Sequence, residues 1–352
     1  MTVATPHRID TRIETPASPP ETMSRRDQIA VAVFATWMTV GLFVDGWAHN
    51  AEKPEDFWTP WHALLYSGFV AAMLWFGREG FRSGRGAVDA IRGSDALTAV
   101  GVISFATAGV ADMVWHEIFG VEEDIEALLS PSHLMLMIGG IFMATGAVRA
   151  TFADGATRPS MRSFAPTLVA LTVATAIVAF FLQFASPFTP EREFFAAGAS
   201  EEMQALGVAA VLLTTVVFVV PVLLLLRRMT PPPGTFTVLF TAVALLMSGL
   251  DAFDFVALVG AGFLAGVTAD ALTARLAPGT GRPRAAWAVA GAVSAVLWAA
   301  WFALYALTQP FAWTVELWGG SIVLSALGGM ALALLAFPPG QRLDVETVTP
   351  FR

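Results

Sequence analysis

From about residue 28 onward the chain alternates long apolar stretches with short polar ones, and the stretches run near twenty residues each. A helix of that length crosses a hydrocarbon core of roughly 30 Å. Ten spans are expected, near 28–47, 61–78, 96–116, 133–150, 164–184, 204–226, 236–252, 255–274, 286–307 and 316–337. The run from Phe236 to Leu272 is too long for one helix and is broken only at Asp251 to Asp254, so a tight hairpin is expected there. The pattern predicts an all-α polytopic membrane protein of about ten transmembrane helices. Residues 1–27 are polar and carry Pro6, Pro16, Pro19 and Pro20, the composition of a disordered tail. An apolar core that starts so late is expected to stay attached rather than be cleaved as a signal peptide. Residues 338–352 form a second tail.

Composition agrees with this pattern. Of 352 residues, 56% are hydrophobic and 14% charged, with a mean hydropathy of +0.65; soluble domains carry about 25% charged residues. The net charge of −8 offers no basic face for nucleic acid. Cysteine is absent, which excludes disulfides, thiolate metal sites and cysteine nucleophiles. Any metal must be held by imidazole, carboxylate, thioether or backbone oxygen.

Charge is segregated by loop. Arg25 and Arg26, then Arg78 to Arg92, Arg149 to Arg162, Arg227 and Arg228, Arg275 to Arg284, and Arg342 occupy every second connection. The alternate connections are acidic, with Glu52, Glu55 and Asp56, then Glu117 to Glu126, then Glu191 to Glu202. Basic loops stay in the cytoplasm, so both termini are expected inside an inner (plasma) membrane and the acidic loops outside it.

Against this frame one motif stands out. Asp45-x3-His49 ends the first span, and Thr59-Pro60-Trp61-His62 opens the second; seventy or so residues later come Asp112-x3-His116 and Ser130-Pro131-Ser132-His133. These copies hold four of the five histidines; the fifth, His7, lies in the tail. Asp and His four apart stack on one helix face. Ser or Thr before Pro starts a helix, because proline's missing N–H is unneeded in the first turn. Each copy therefore ends one helix with Asp and His and begins its antiparallel neighbour with His, so that three ligands can converge. Residues 28–150 read as a duplicated hairpin unit of four spans, and 151–337 as six further spans. Metal ligands are expected at Asp45, His49, His62, Asp112, His116 and His133, with Asp251, Asp254, Glu201 and Glu202 as accessory groups at the same face. Imidazole with carboxylate suits copper, zinc or iron better than magnesium or calcium. Haem ligands would lie deeper in the bundle. The bland readings are an interfacial role for single histidines, an aromatic belt for Trp47, Trp58, Trp61 and Trp115, and packing for Met113, Met135, Met137 and Met143.

Asp45-x3-His49-x12-His62 resembles the copper-binding pattern of the membrane C subunit of particulate methane and ammonia monooxygenases. Asp112, His116 and His133 take the place of that family's second set, which is similar to Asn-x3-His-x13-His; here the first residue is Asp and the second gap is sixteen. The resemblance implies two copper sites, an oxidoreductase component and partner subunits in the membrane. The alternatives are, in order, a metal-ion or proton-coupled transporter, a zinc-dependent membrane hydrolase, and a structural membrane protein without metal. No phosphate loop, nucleophile elbow or HExxH is present.

Overall fold

The computed structural model describes residues 23–53, 58–82, 96–120, 124–189, 192–196 and 198–339. The expected tails lie outside them except for residues 23–27 and 338–339, and helix begins within the first of these, at Arg25. Much of the acidic loops, including Glu55, Asp56, Glu122, Glu123 and Glu191, lies outside the described residues too, as do Arg85, Arg92 and Arg342.

The described residues form helices and no strand. The first half contains α1 (Arg25–Asn50), α2 (Pro60–Arg82), α3 (Ala96–Phe119), the short α4 (Asp124–Leu129), α5 (Pro131–Ala144), α6 (Gly146–Ala153) and α7 (Met161–Phe181). The second contains α8 (Glu201–Arg228), α9 (Thr235–Gly249), α10 (Val259–Leu276), α11 (Pro283–Thr308) and α12 (Val315–Ala336). Among the described residues eight helices are long and apolar enough to cross a membrane: α1, α3, α5 with α6, α7, α8, α10 with the turn before it, α11 and α12. Such helices suit a chain embedded in lipid. Two expected spans stand apart from these eight. α2 has the length, but Pro60, Trp61, His62, Tyr66 and Ser67 dilute its first turns. α9 is only 15 residues long, about 22 Å of helix.

The expected hairpin is present: helix stops at Gly249, Ala252 and Phe253 take positive φ, and a short 3-10 turn, Val256–Leu258, leads into α10. The fourth span is not one uninterrupted helix. Thr145 turns its hydroxyl back onto the Ile141 carbonyl at 2.7 Å and accepts from Arg149 at 2.7 Å, a local bond that competes with the helix ladder, and α5 gives way to α6 there.

α1 packs on α2 and α3 packs on α5, while α9 to α12 pack in sequence and α12 returns to α8. α7 runs through the middle, touching α1, α5, α6, α8 and α9, and most of its residues are buried. The larger core spreads through α7 to α12 and reaches α1. A second, smaller core lies between the two N-terminal hairpins, built from Met38, Leu65, Phe69, Ala72, Phe105, Ala108, Leu136 and Met143. Between helices in lipid, small residues and close backbone approach take the place of hydrophobic drive. A Cβ at Gly68 would lie 2.9 Å from the Met38 nitrogen, and one at Gly139 would lie 2.8 Å from the Phe105 nitrogen. In α10, Gly262 and Gly266 lie likewise against the carbonyls of Phe240 and Phe236 in α9.

Asp270, an acid within the eighth expected span, has a structural use. Its carboxylate accepts from the backbone nitrogens of Phe236 at 3.2 Å and Thr237 at 2.9 Å, and from the Thr237 hydroxyl at 2.7 Å. It thus satisfies the open N–H groups at the start of α9 from a neighbouring helix.

Two outcomes follow for stability. Gly68→Val and Gly139→Val should each destabilise the detergent-solubilised protein by about 1–3 kcal/mol, read as a lowered thermal unfolding midpoint. Asp270→Ala should cost a similar amount, about 1–3 kcal/mol for donors left without an acceptor. An unchanged midpoint in any of the three would contradict the packing described.

Candidate metal centre

The end of α3 and the start of α5 meet because α3 and α5 form an antiparallel pair locked at Gly101 and Gly139. Asp112 and His116 lie one turn apart near the end of α3. Pro131 occupies the first position of α5, and the Ser130 hydroxyl accepts from the His133 nitrogen at 3.4 Å, so the cap that starts the helix also sets His133 in its first turn.

The three side chains converge. Asp112 Oδ1 lies 3.0 Å from His133 Nε2 and 3.6 Å from His116 Nε2. Among the described residues this is the one group of three or more His, Asp or Glu side chains whose ligand atoms all lie within 4.8 Å of one another. The Asp112 side chain is only 3% exposed, and His116 and His133 are 10% and 20% exposed. The carboxylate is buried between the two imidazoles, with His133 Nε2 at hydrogen-bonding distance and the Ser132 hydroxyl as a second partner. Three ligand atoms this close together are spaced as a cation's ligands are. With metal–ligand bonds of about 2.0–2.2 Å, neighbouring ligand atoms should stand roughly 3–3.5 Å apart, and the contacts fall close to that range. Two imidazoles and one carboxylate therefore fit a transition metal, and the donor set suits copper, zinc or iron.

The first copy closes differently. His62 Nε2 lies 3.3 Å from Asp45 Oδ1, and the Thr59 hydroxyl is 3.1 Å from His62 Nδ1. His49 does not join them in a three-ligand group, although it borders the same space. The two sets differ in backbone. α3 continues three residues past His116 to Phe119, whereas α1 ends at Asn50 and the chain turns at Glu52, whose φ is 50°. His116 is thus held inside a helical turn and His49 sits at a helix end.

All six expected ligands line one cavity of about 800 Å³. Polar groups gather at the helix ends; Met38, Leu65, Phe105, Leu136 and Ile177 form apolar walls. The end of α7 and the segment after it contribute as well. Phe180, Phe181, Gln183 and Thr189 border the space, and Asn50 donates to the Gln183 side chain and the Leu250 carbonyl, both at 3.3 Å. Part of the loop expected to be solvated acid surface folds over it: Ala127 and Leu128 of α4 line the cavity. The expected accessory acids are elsewhere. Glu201 and Glu202 are exposed in the first turn of α8, Asp251 and Asp254 belong to the α9–α10 turn, and none of the four lines the cavity.

One cavity residue carries no signal in the Asp/His pattern. Tyr66, one turn after His62 on α2, hydrogen-bonds through its hydroxyl to Asp112 and lies within the electrostatic influence of Asp45. It was findable: the chain has two tyrosines, and only this one falls on a ligand's helix face. Compared with models of known families, curated proteins and solved structures, the chain gives no match.

Proposed function

We propose that the protein binds a transition metal, copper by preference, through Asp112, His116 and His133, as an oxidoreductase component of the particulate-monooxygenase type. The observation that carries the reading is the convergence of two imidazole nitrogens on a buried carboxylate oxygen, at 3.0 and 3.6 Å, with all three ligand atoms within 4.8 Å of one another. Zinc and iron suit the same donors; copper is preferred on the spacing resemblance alone. A bound copper ion would supply one-electron redox chemistry and access to oxygen. The chain's own residues would hold the ion, offset its charge through Asp112, and keep water from it with the apolar walls beneath.

The reading extends to architecture. A shift of 67 residues carries Met38 to Phe105, Asp45 to Asp112 and His49 to His116, and a shift of 71 carries His62 to His133, Leu65 to Leu136 and Gly68 to Gly139. The matched residues make matched contacts: Gly68 rests on the Met38 nitrogen and Gly139 on the Phe105 nitrogen. Duplication of a helical hairpin accounts for both. Counting α2 and α9 as spans restores ten. The arginine-bearing connections then lie in the cytoplasm with both termini, and the cavity opens at the outer face of the inner membrane.

Metal content of the purified full-length protein tests the proposal. Wild type should retain copper, iron or zinc through dialysis. Asp112→Ala and His133→Ala should lose affinity by more than the roughly 10–100-fold that changes outside the ligand shell cost, and His49→Ala should lose far less. Wild type holding no more of these metals than Asp112→Ala would end the reading.

A further inference from the structure

The carboxylate at the centre of the proposed site is gripped from the other hairpin. Tyr66 belongs to α2, Asp112 to α3, and the Tyr66 hydroxyl donates to the Asp112 carboxylate. The Ser132 hydroxyl donates to the same group from the start of α5. Two hydroxyls and two imidazoles therefore surround one buried carboxylate.

The fold makes room for this contact. Gly109 lies three residues before Asp112, on the same face of α3. A Cβ at Gly109 would stand 3.1 Å from Tyr66 Cε1 and 3.5 Å from its hydroxyl oxygen, closer to the ring than ordinary side-chain packing. The missing side chain is the slot into which the ring fits, and the slot ends at Asp112. The ring is steadied by Phe105, with centroids 6.4 Å apart, and by His62, also at 6.4 Å. Because His62 and Tyr66 are one turn apart on α2, the helix that places His62 on Asp45 also places the hydroxyl on Asp112.

We infer that Tyr66 is a positioning residue for the metal centre: its hydroxyl orients the Asp112 carboxylate toward the ion. The inference rests on the metal reading above. A carboxylate with two oxygens can rotate about its Cβ–Cγ bond, and it presents one oxygen steadily to a cation only if other donors hold it. Ser132 supplies one such hold from the hairpin that carries His133. Tyr66 supplies the other across the gap between hairpins, and so makes the centre depend on how the two hairpins are docked. Groups of this kind, touching a ligand rather than the metal, are worth roughly 10–100-fold in metal affinity.

The test uses the full-length protein in detergent, loaded with Cu(II). Tyr66→Phe removes the hydroxyl and keeps the ring between Phe105 and Gly109. It should weaken copper affinity about 10–100-fold and change the hyperfine splitting of the Cu(II) electron paramagnetic resonance spectrum, with the apo-protein still folded and its unfolding midpoint measured alongside. Gly109→Ala, which presses on the ring without touching the carboxylate, should move the same spectrum in the same direction. If wild type binds copper while Tyr66→Phe binds it equally well with an identical spectrum, the positioning role is refuted and the metal centre stands. Should wild type bind no copper, iron or zinc, both fall together. A lowered unfolding midpoint with an unaltered spectrum would make Tyr66 a packing residue only, and would also overturn the inference.

Discussion

A carboxylate buried among apolar helices is the constraint on which the rest of this site depends. Removing an ion from water costs several kcal/mol even after the surroundings relax, and within a membrane-spanning segment such groups are retained where they have work to do. Asp112 is 3% exposed and shares a cavity with Asp45. The fold answers by crowding donors around it: two imidazole nitrogens, the Ser132 hydroxyl and the Tyr66 hydroxyl. His133 at 3.0 Å and the two hydroxyls satisfy the carboxylate in part, and His116 at 3.6 Å completes the cluster. The same ligand atoms would hold the cation proposed above.

Asp270 provides the internal comparison. It too is an acid inside an apolar span, and it is satisfied by two backbone N–H groups and a threonine hydroxyl at ordinary distances. Nothing about it asks for an ion. The same chain therefore shows a carboxylate used to cap a helix and a carboxylate set among two imidazoles and two hydroxyls. The difference lies in the partners, backbone N–H groups for Asp270 and imidazoles for Asp112, since both groups are partly or wholly buried.

This contrast also marks what could be read from the sequence. Helix character, the antiparallel hairpins and the shared end of Asp45, His49, His62, Asp112, His116 and His133 follow from apolar run length, the Ser/Thr–Pro starts and i,i+4 spacing, because those signals are local and repeated. The fate of individual side chains is not local. Asp45 and Asp112 have the same motif, yet His49 and His116 differ in where the helix ends beyond them. Tyr66 lies on α2 and acts on α3, a relation that only the slot at Gly109 and the packing of Phe69 on Phe105, with ring centroids 4.7 Å apart, bring about. Glu201, Glu202, Asp251 and Asp254 share the expected end of the bundle but not the cavity, since charge pattern places a residue along the membrane normal and says nothing of its position around the bundle.

Two similar hairpins facing one cavity need not do the same thing. In the second, the longer connection lets α3 run three residues past His116, which keeps that imidazole within a helical turn and allows a three-ligand set to close. In the first, the shorter connection ends α1 one residue after His49, and what remains is an Asp45–His62 pair steadied by Thr59. The helix that carries this pair also carries Tyr66 into contact with Asp112. On the proposed reading the halves would have distinct tasks: one hairpin would supply the ligands, and the other would fix the orientation of the carboxylate on which those ligands converge.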